Sequence, residues 1–219
     1  QRVVIEGATS NLAGIHSGVP QGSILGPILF LVYINDLPAN IRTNVNLFAD
    51  DTIIWSVVDK NSSSISNLNE DLATVSNWAD TWFMTLNPDK TDVLTISAKR
   101  NKNSYDDLVL GGVIVTEVTS HKHLGLTISS NMSFDQHVTS ICKSAGTRIN
   151  LLRKLSFKLN RYSLERIYFA YIRPILEYAS TVFGNQTLRN DHKLESLQHQ
   201  AAVICSGALY TTGRAAVLH

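Results

Sequence analysis

Two adjacent carboxylates, Asp50 and Asp51, sit between apolar runs in Val45-Asn46-Leu47-Phe48-Ala49-Asp50-Asp51-Thr52-Ile53-Ile54-Trp55. Held about 4 Å apart, two such anions repel by about 4 kcal/mol at an effective dielectric of about 20, and burial adds to that. A divalent cation is the counter-charge that turns this local cost into chemistry. Residues 45–48 and 52–58 are rich in β-branched and aromatic types, which predicts two strands with the aspartates at a tight turn between them. Successive strand residues face opposite sides of a sheet, so a turn has to redirect one carboxylate before both can serve one site. Taken alone, the segment equally suits an exposed hairpin turn, where Asp is common. Phe48 is expected to pack beneath the turn.

Upstream lies Gly18-Val19-Pro20-Gln21-Gly22-Ser23-Ile24-Leu25-Gly26-Pro27. Glycines at four-residue spacing let backbone approach a bulky ligand, Pro20 stiffens the loop, and the Gln21 amide can both donate and accept toward a nucleotide or template. A glycine-rich loop before a helix serves packing more often than phosphate binding. Ser23 is placed to cap a helix over 24–35. Ile24, Leu25, Ile28, Leu29, Leu31, Val32 and Ile34 surround most of its circumference, which predicts burial. That helix should stop near Asp36-Leu37-Pro38.

Strands are expected at 3–5 and 14–17 around a loop at 8–12. After the acidic segment, Ser62-Ser63-Ser64 opens a long helix whose Ile65, Leu68, Leu72, Val75, Ala79 and Trp82 recur at helical spacing, with Asn87-Pro88 ending it. Trp78 and Trp82 read as core rather than as a ligand platform. Strands return at 92–97, 108–110, 113–115 and 124–128, with Gly111-Gly112 as a turn. From Ser133 the pattern becomes helical. Ser133 and Gln136 have capping-box spacing, and Phe134, Val138, Ile141, Ala145, Ile149, Leu152 and Leu155 line one face. A boundary near residue 130 follows.

The 219 residues and 44% hydrophobic content support a real core in one or two domains. The longest apolar run, 24–33, is too short to span a bilayer, and no signal peptide is visible, so an intracellular, non-secreted protein is expected. Cys142 and Cys205 are the only cysteines, which argues against a disulfide framework. His192, His199 and Cys205 fit no closed four-ligand zinc spacing, whereas Leu194, Leu197, Ala201 and Ile204 suit an amphipathic helix.

The net charge is +1 but unevenly spread. Between 141 and 175 stand eight basic residues, Lys143, Arg148, Arg153, Lys154, Lys158, Arg161, Arg166 and Arg173, against the single acid Glu165. Residues 59–92 carry six acids against Lys60 and Lys90. The basic stretch is either an ordinary solvated face or a surface for phosphates. Tyr162, Tyr168, Phe169, Tyr171 and Tyr178 interleave with it at spacings that suit helix packing better than base stacking.

The stretch GVPQGSILGPILFLVYINDLP followed by FADD resembles the palm of reverse transcriptases from LINE-type, non-LTR retrotransposons, especially the jockey-like group. Leu86-Asn87-Pro88-Asp89-Lys90-Thr91 is similar to that family's LN..KT segment, His123-Leu124-Gly125 to its YLG segment, and Ile172-Arg173-Pro174-Ile175-Leu176-Glu177-Tyr178-Ala179-Ser180 to the signature after the palm. The resemblance covers nearly the whole chain. It implies an α+β fold, with a polymerase palm-like antiparallel sheet packed on helices over 1–130, an all-α thumb-like region over 131–219, and fingers missing.

The implied chemistry is template-directed DNA synthesis on RNA. A primer 3′-hydroxyl attacks the α-phosphate of a deoxynucleoside triphosphate, with two metal ions stabilising the attacking and leaving oxygens. Mg2+ suits the carboxylate, water and phosphate oxygens, with Mn2+ as a substitute. By the same resemblance, Asp50 is the principal metal ligand and Asp51 the supporting one. Pro20, Gln21, Gly22 and Ser23 contact nucleotide or template. Lys90 lies near the triphosphate as a proton donor to leaving pyrophosphate, unless it is a surface lysine before a strand. Leu124 and Gly125 resemble the loop that supports the primer end, although His123 stands where the family often has an aromatic. Lys143, Arg148, Arg153, Lys154 and Lys158 face the nucleic-acid backbone.

The partners so implied are an RNA template, a DNA primer and deoxynucleoside triphosphates, within a nuclear or cytoplasmic ribonucleoprotein. No membrane partner is expected, and oligomeric state is not legible. Two other readings remain: a degenerate or repurposed module that binds nucleic acid or protein without catalysis, and an unrelated metal-dependent phosphoesterase. The latter explains neither the glycine-rich loop nor the later segments.

The family places a further metal-binding aspartate on a strand before the glycine-rich loop, but residues 1–17 contain Glu6 as their only acid, and the chain begins with Gln1. A fragment of a longer reading frame is therefore expected, catalytically incomplete alone. The isolated chain should give little or no metal-dependent primer extension on an RNA template, and synthesis should return when the upstream sequence is restored. Robust extension by the isolated chain would contradict this.

Overall fold

The computed structural model describes residues 2–14, 18–19, 22–58, 63–97, 105–184, 187–209 and 211–213. Helices and strands are mixed, and the chain divides into two compact units, Gln1–Lys90 with Tyr105–Val115, and Thr91–Ser104 with Thr116–His219. This grouping differs from the division expected near residue 130. Sequence pattern changes there, but packing joins the preceding hairpin to the helices that follow it.

In the first unit, β1 (Val4–Ile5) pairs with β2 (Ala8–Thr9) across a turn in which Glu6 and Gly7 have positive φ. A strand thus occupies the start of the expected loop; residues 15–17 lie outside the described residues. Helix α1 (Gly26–Ile34) has Leu25 at its N-cap, so Ser23 is not the capping residue expected; its Oγ instead accepts from Gly26 N–H at 3.0 Å, from outside the helix. The hairpin of β3 (Asn44–Phe48) and β4 (Asp51–Trp55) follows, then helix α2 (Ser64–Thr81). Ile34, Leu37 and Val75 form the core of this unit, with Phe30, Ile41, Leu47, Ile54, Trp78 and Leu86 packed around it.

The all-round burial expected for α1 is not found. Phe30, Ile34 and Leu37 recur at one helical spacing and meet the core, and Tyr33 on the same side packs edge-on against Trp78 and Trp82. Ile24 is 89% exposed, and Leu25, Ile28, Leu29, Leu31 and Val32 are exposed with it. A cylinder that touches neighbours along one stripe buries only that stripe, whatever its composition. Trp78 fits the core reading and donates to Asp36 Oδ1 at 2.8 Å, while Trp82 is partly exposed beside Tyr33.

The described strands pair two by two rather than in one palm-like sheet. Within the first unit β6 (Val109–Leu110) and β7 (Val113–Ile114) close over the expected Gly111-Gly112 turn. In the second, β5 (Asp92–Leu94) runs parallel to β8 (Thr116–Val118), and β9 (Ser120–His123) forms an antiparallel hairpin with β10 (Leu126–Ser129). Apart from β5 and β8, each described strand pairs with the neighbour that its own turn delivers, as suits strands this short.

Helix α3 (Asp135–Leu155) starts later than its capping-box signal, because Ser133 Oγ accepts from Asp135 N–H at 3.3 Å instead of from the third helical residue. Its expected face is the one that packs: Val138, Ala145, Ile149 and Leu152 are buried. Helix α4 (Arg161–Ile167) is capped by Asn160 and passes into a wider π-helical turn, Tyr168–Ile172, before α5 (Arg173–Glu177). Pro174 lacks an amide hydrogen and crowds the turn before it, which accounts for the widening. Two further helices, α6 (Ser180–Phe183) and α7 (Leu188–Ser206), complete the unit.

The larger cluster joins Ala145, Ile149 and Leu152 to Leu164, Ile172, Leu176, Ala201 and Cys205. A second, Leu126, Val138 and Phe183, seats the β9–β10 hairpin on α3. Cys142 and Cys205 are free thiols, and burial, then Glu165, pushes the Cys205 thiol up to about 11. No helix among the described residues is long and apolar enough to cross a membrane.

One buried charge ties the first unit together. Asp71 on α2 is 1% exposed and accepts from Arg42 N–H at 2.9 Å, Thr43 N–H at 2.9 Å and Thr43 Oγ1 at 2.6 Å. Burial pushes its carboxyl up, but these hydrogen bonds outweigh burial and hold it below the ordinary value of 3.8. A depressed acid contributes stability above its unfolded value and loses it as pH falls through the folded one. Asp71→Ala should therefore cost about 2–4 kcal/mol at neutral pH, since two backbone donors lose a charged acceptor. Denaturant titrations should show the wild-type advantage shrinking below pH 3.8; an advantage unchanged from pH 7 into that range would refute the assignment.

Candidate active site

The acidic pair stands at the tip of the β3–β4 hairpin. Phe48 pairs with Asp51, so Ala49 and Asp50 are the two turn residues and Asp51 is the first residue of β4. Leu47 and Ile54 press one face of the hairpin onto the core. Alternation then puts Phe48 and Asp51 together on the opposite face. Phe48 is 61% exposed there, so the expectation that it packs beneath the turn is corrected; Leu47 holds that place. The same outer face carries the contact of Trp55 Nε1 with Asn46 Oδ1 at 3.0 Å.

Both carboxylates are exposed, and neither has a hydrogen-bond or ion-pair partner among the described residues. The turn redirects Asp50 out of the strand alternation, as the sequence requires for a shared site. Ala49 has a φ of +51°, a left-handed conformation more readily adopted by glycine.

The donor set is anionic oxygen, open to solvent, which suits Mg2+. Among the described residues no group of three His, Cys, Asp or Glu side chains could hold a metal. Two carboxylates nevertheless match the way Mg2+ is commonly held, by one or two carboxylates with water and substrate phosphates completing its shell. Asp50 and Asp51 fit part of such a site rather than a closed cage.

The remaining sequence-derived residues are held separately. Pro20 and Gln21 lie outside the described residues. Gly22 has a φ of +81°, and Ser23 Oγ is engaged by Gly26 N–H. Lys90 ends a short 3-10 turn, Pro88–Lys90, after Asn87 Oδ1 accepts from Asp89 N–H at 3.1 Å; no hydrogen bond or ion pair joins it to Asp50 or Asp51. Leu124 and Gly125 form the turn between β9 and β10, with φ of +45° and +84°, so the strand expected over 124–128 begins only at Leu126, while the loop that the resemblance implies at these two residues is present.

On α3, Lys143, Arg153 and Lys154 are exposed, as is Lys158 in the turn that follows it, whereas Arg148 is half-buried, with its guanidinium 4.7 Å from the Tyr171 ring centroid and Nη1 2.6 Å from Ser144 Oγ. Arg161 and Arg173 pair with Glu165 and Glu177, each at 2.6 Å. These three arginines are therefore engaged within the helical unit.

Two positioning residues escaped the sequence reading. Asp71 was legible in part, because it falls on the same helical stripe as Leu68, Leu72, Val75 and Ala79, where an acid has to be matched. The other is Tyr178, whose Oη donates to Leu124 O at 2.5 Å. Nothing local in the sequence signals that contact.

The chain belongs to the reverse transcriptase (RNA-dependent DNA polymerase) family, whose model matches residues 4–128. It is 28% identical over 217 residues to the RNA-directed DNA polymerase from mobile element jockey of Drosophila melanogaster, covering 94% of this chain and 24% of that protein. The Drosophila funebris jockey polymerase is likewise 28% identical, with 94% and 24% coverage. The probable RNA-directed DNA polymerase from transposon BS of Drosophila melanogaster is 26% identical, with 85% and 22%. These are polymerases of non-LTR, LINE-type elements, and the chain spans about a quarter of their length. No solved structure matches it.

Ala49→Gly tests the turn geometry. Releasing a left-handed alanine gains about 1–2 kcal/mol, against about 0.4–1 kcal/mol of added unfolded-chain entropy. The variant should thus be more stable by up to about 1.5 kcal/mol in chemical denaturation, and clear destabilisation would show that the turn is built otherwise.

Proposed function

We propose that this chain is the palm and thumb portion, about 1–130 and 131–219, of an RNA-directed DNA polymerase that copies an RNA template from a DNA primer. The observation that carries the reading is the acidic pair. Asp50 is turned out of the strand alternation at the tip of a hairpin whose other face is anchored by Leu47 and Ile54, and whose approach is anchored by Asp71. Such a pair, rigidly based and open to solvent, suits a large phosphate-bearing substrate.

In this reading Asp50 is the principal ligand for Mg2+ and Asp51 the supporting one. Bound there, the metal supplies charge stabilisation to the oxygens of phosphoryl transfer. Gln21 and Gly22 meet nucleotide or template, Lys90 offers a cation to the triphosphate, and Leu124-Gly125 supports the primer end. Lys143, Arg153, Lys154 and Lys158 follow the duplex backbone by charge, a contact that weakens with salt. Arg148 serves that surface indirectly, holding Tyr171 in place.

Asp50→Asn in the complete reading frame tests this. The charge is lost while size is kept, so primer extension should fall by about 10³-fold or more, the scale of removing a principal transition-state stabiliser. Affinity for a primer–template duplex should be unchanged. Equal loss of synthesis and binding would assign Asp50 to folding, and full retention of synthesis would remove it from the chemistry.

A further inference from the structure

Leu124 and Gly125 are an unusual turn. Both central residues are left-handed, and a two-residue hairpin loop of this kind favours Asn-Gly or Gly-Gly rather than leucine. Something outside the hairpin has to hold Leu124 where it is. The contact that does so comes from 54 residues away in sequence, where Tyr178 Oη donates to the Leu124 carbonyl at 2.5 Å. The same ring lies against the bare α-carbon of Gly125: a Cβ there would sit 3.1 Å from Tyr178 Cε1. One side chain thus secures the peptide on one side of Gly125 and occupies the space any larger residue would need.

Tyr178 is itself aimed by its backbone. Helix α5 ends at Glu177, Tyr178 N–H donates to Pro174 O at 3.0 Å, and Ala179 turns left-handed with a φ of +58°. That reversal directs the phenol off the helix axis, while Ala179 packs against Leu126, Val138 and Phe183. The cluster that seats the hairpin on α3 therefore also fixes the base of the side chain that holds its tip. Two segments singled out independently in the sequence, His123-Leu124-Gly125 and Ile172–Ser180, are parts of one device.

We infer that Tyr178 is a positioning residue for the primer end: it holds the Leu124-Gly125 turn in the conformation that receives the primer 3′-terminus. The inference rests on the primer-support reading proposed above. Tyr178 does not react. It keeps the Leu124 carbonyl and that strained residue in register, and without its hydroxyl the turn exchanges with ordinary right-handed conformers.

The test uses the 219-residue chain with a DNA primer annealed to an RNA template, the primer carrying a photoreactive group at its 3′-terminal nucleotide. Wild type should be labelled within residues 122–126. Tyr178→Phe should lose that labelling by about fivefold, the equilibrium factor of one net hydrogen bond, while total duplex affinity stays within about twofold because no phosphate contact is removed. Amide exchange at 124–126 should accelerate in the same variant, with exchange in α3 unchanged.

Gly125→Ala should reproduce the loss of labelling, and its circular dichroism should match wild type. Labelling of the turn in wild type that persists undiminished in Tyr178→Phe overturns the role of Tyr178 and leaves the primer-support reading intact. Wild-type chain that is not labelled in the turn overturns that reading and the inference with it. Unfolding of both variants, seen as accelerated exchange throughout α3, would assign Tyr178 to global stability and also overturn the inference.

Discussion

A carboxylate sealed inside the first unit sets the path of the chain into its acidic hairpin. Asp71 meets two consecutive backbone amides and a hydroxyl just before β3, so α2 grips the backbone leading into the strand rather than only side chains. Hydrophobic contacts from Leu47 and Ile54 specify which face turns inward, but apolar packing is non-directional and tolerates sliding. Directed hydrogen bonds to a charged acceptor do not. The register of Phe48 against Asp51, and with it the exit of Asp50 from the strand, follows from a strand that is held at its start and pressed down in its middle.

The second unit solves a similar problem with a neutral group. Its hairpin is seated by Leu126 on Val138 and Phe183, and its tip is restrained by the Tyr178 phenol. Here the strained element is the turn itself, and the restraint comes from a kink between two short helices. In both units the hairpin that carries the loop of interest is held by a specific contact from a side chain distant in sequence, at its entrance by Asp71 and at its tip by Tyr178. Arg148, Arg161 and Arg173 belong to the same economy of internal contacts, since each is engaged by a ring or a carboxylate on the helices.

Much of this was legible in the residues. β-Branched and aromatic runs around Asp50-Asp51 marked the hairpin, and helical spacing marked α2, α3 and α7. Ordered motifs identified the family that the comparison with known proteins then showed. The misreadings share one cause. Burial of α1, the placing of Phe48 beneath its turn, and a single sheet were all inferred from composition, whereas each depends on which neighbour is within reach. An apolar residue reports that it could be buried, not that anything is there to bury it.

Sequence alone determined the β3–β4 hairpin, the long helices α2, α3 and α7, and the family, because periodicity, turn residues and motif order are local properties. Only tertiary structure decided that Leu47 rather than Phe48 lies underneath, that Asp71 is a buried anchor rather than one acid among six, and that Tyr178 reaches Leu124. Those facts depend on residues brought together from separate elements, 28 positions apart for Asp71 and Thr43 and 54 for Tyr178 and Leu124, and no local pattern encodes which partner a side chain meets once the chain has closed upon itself.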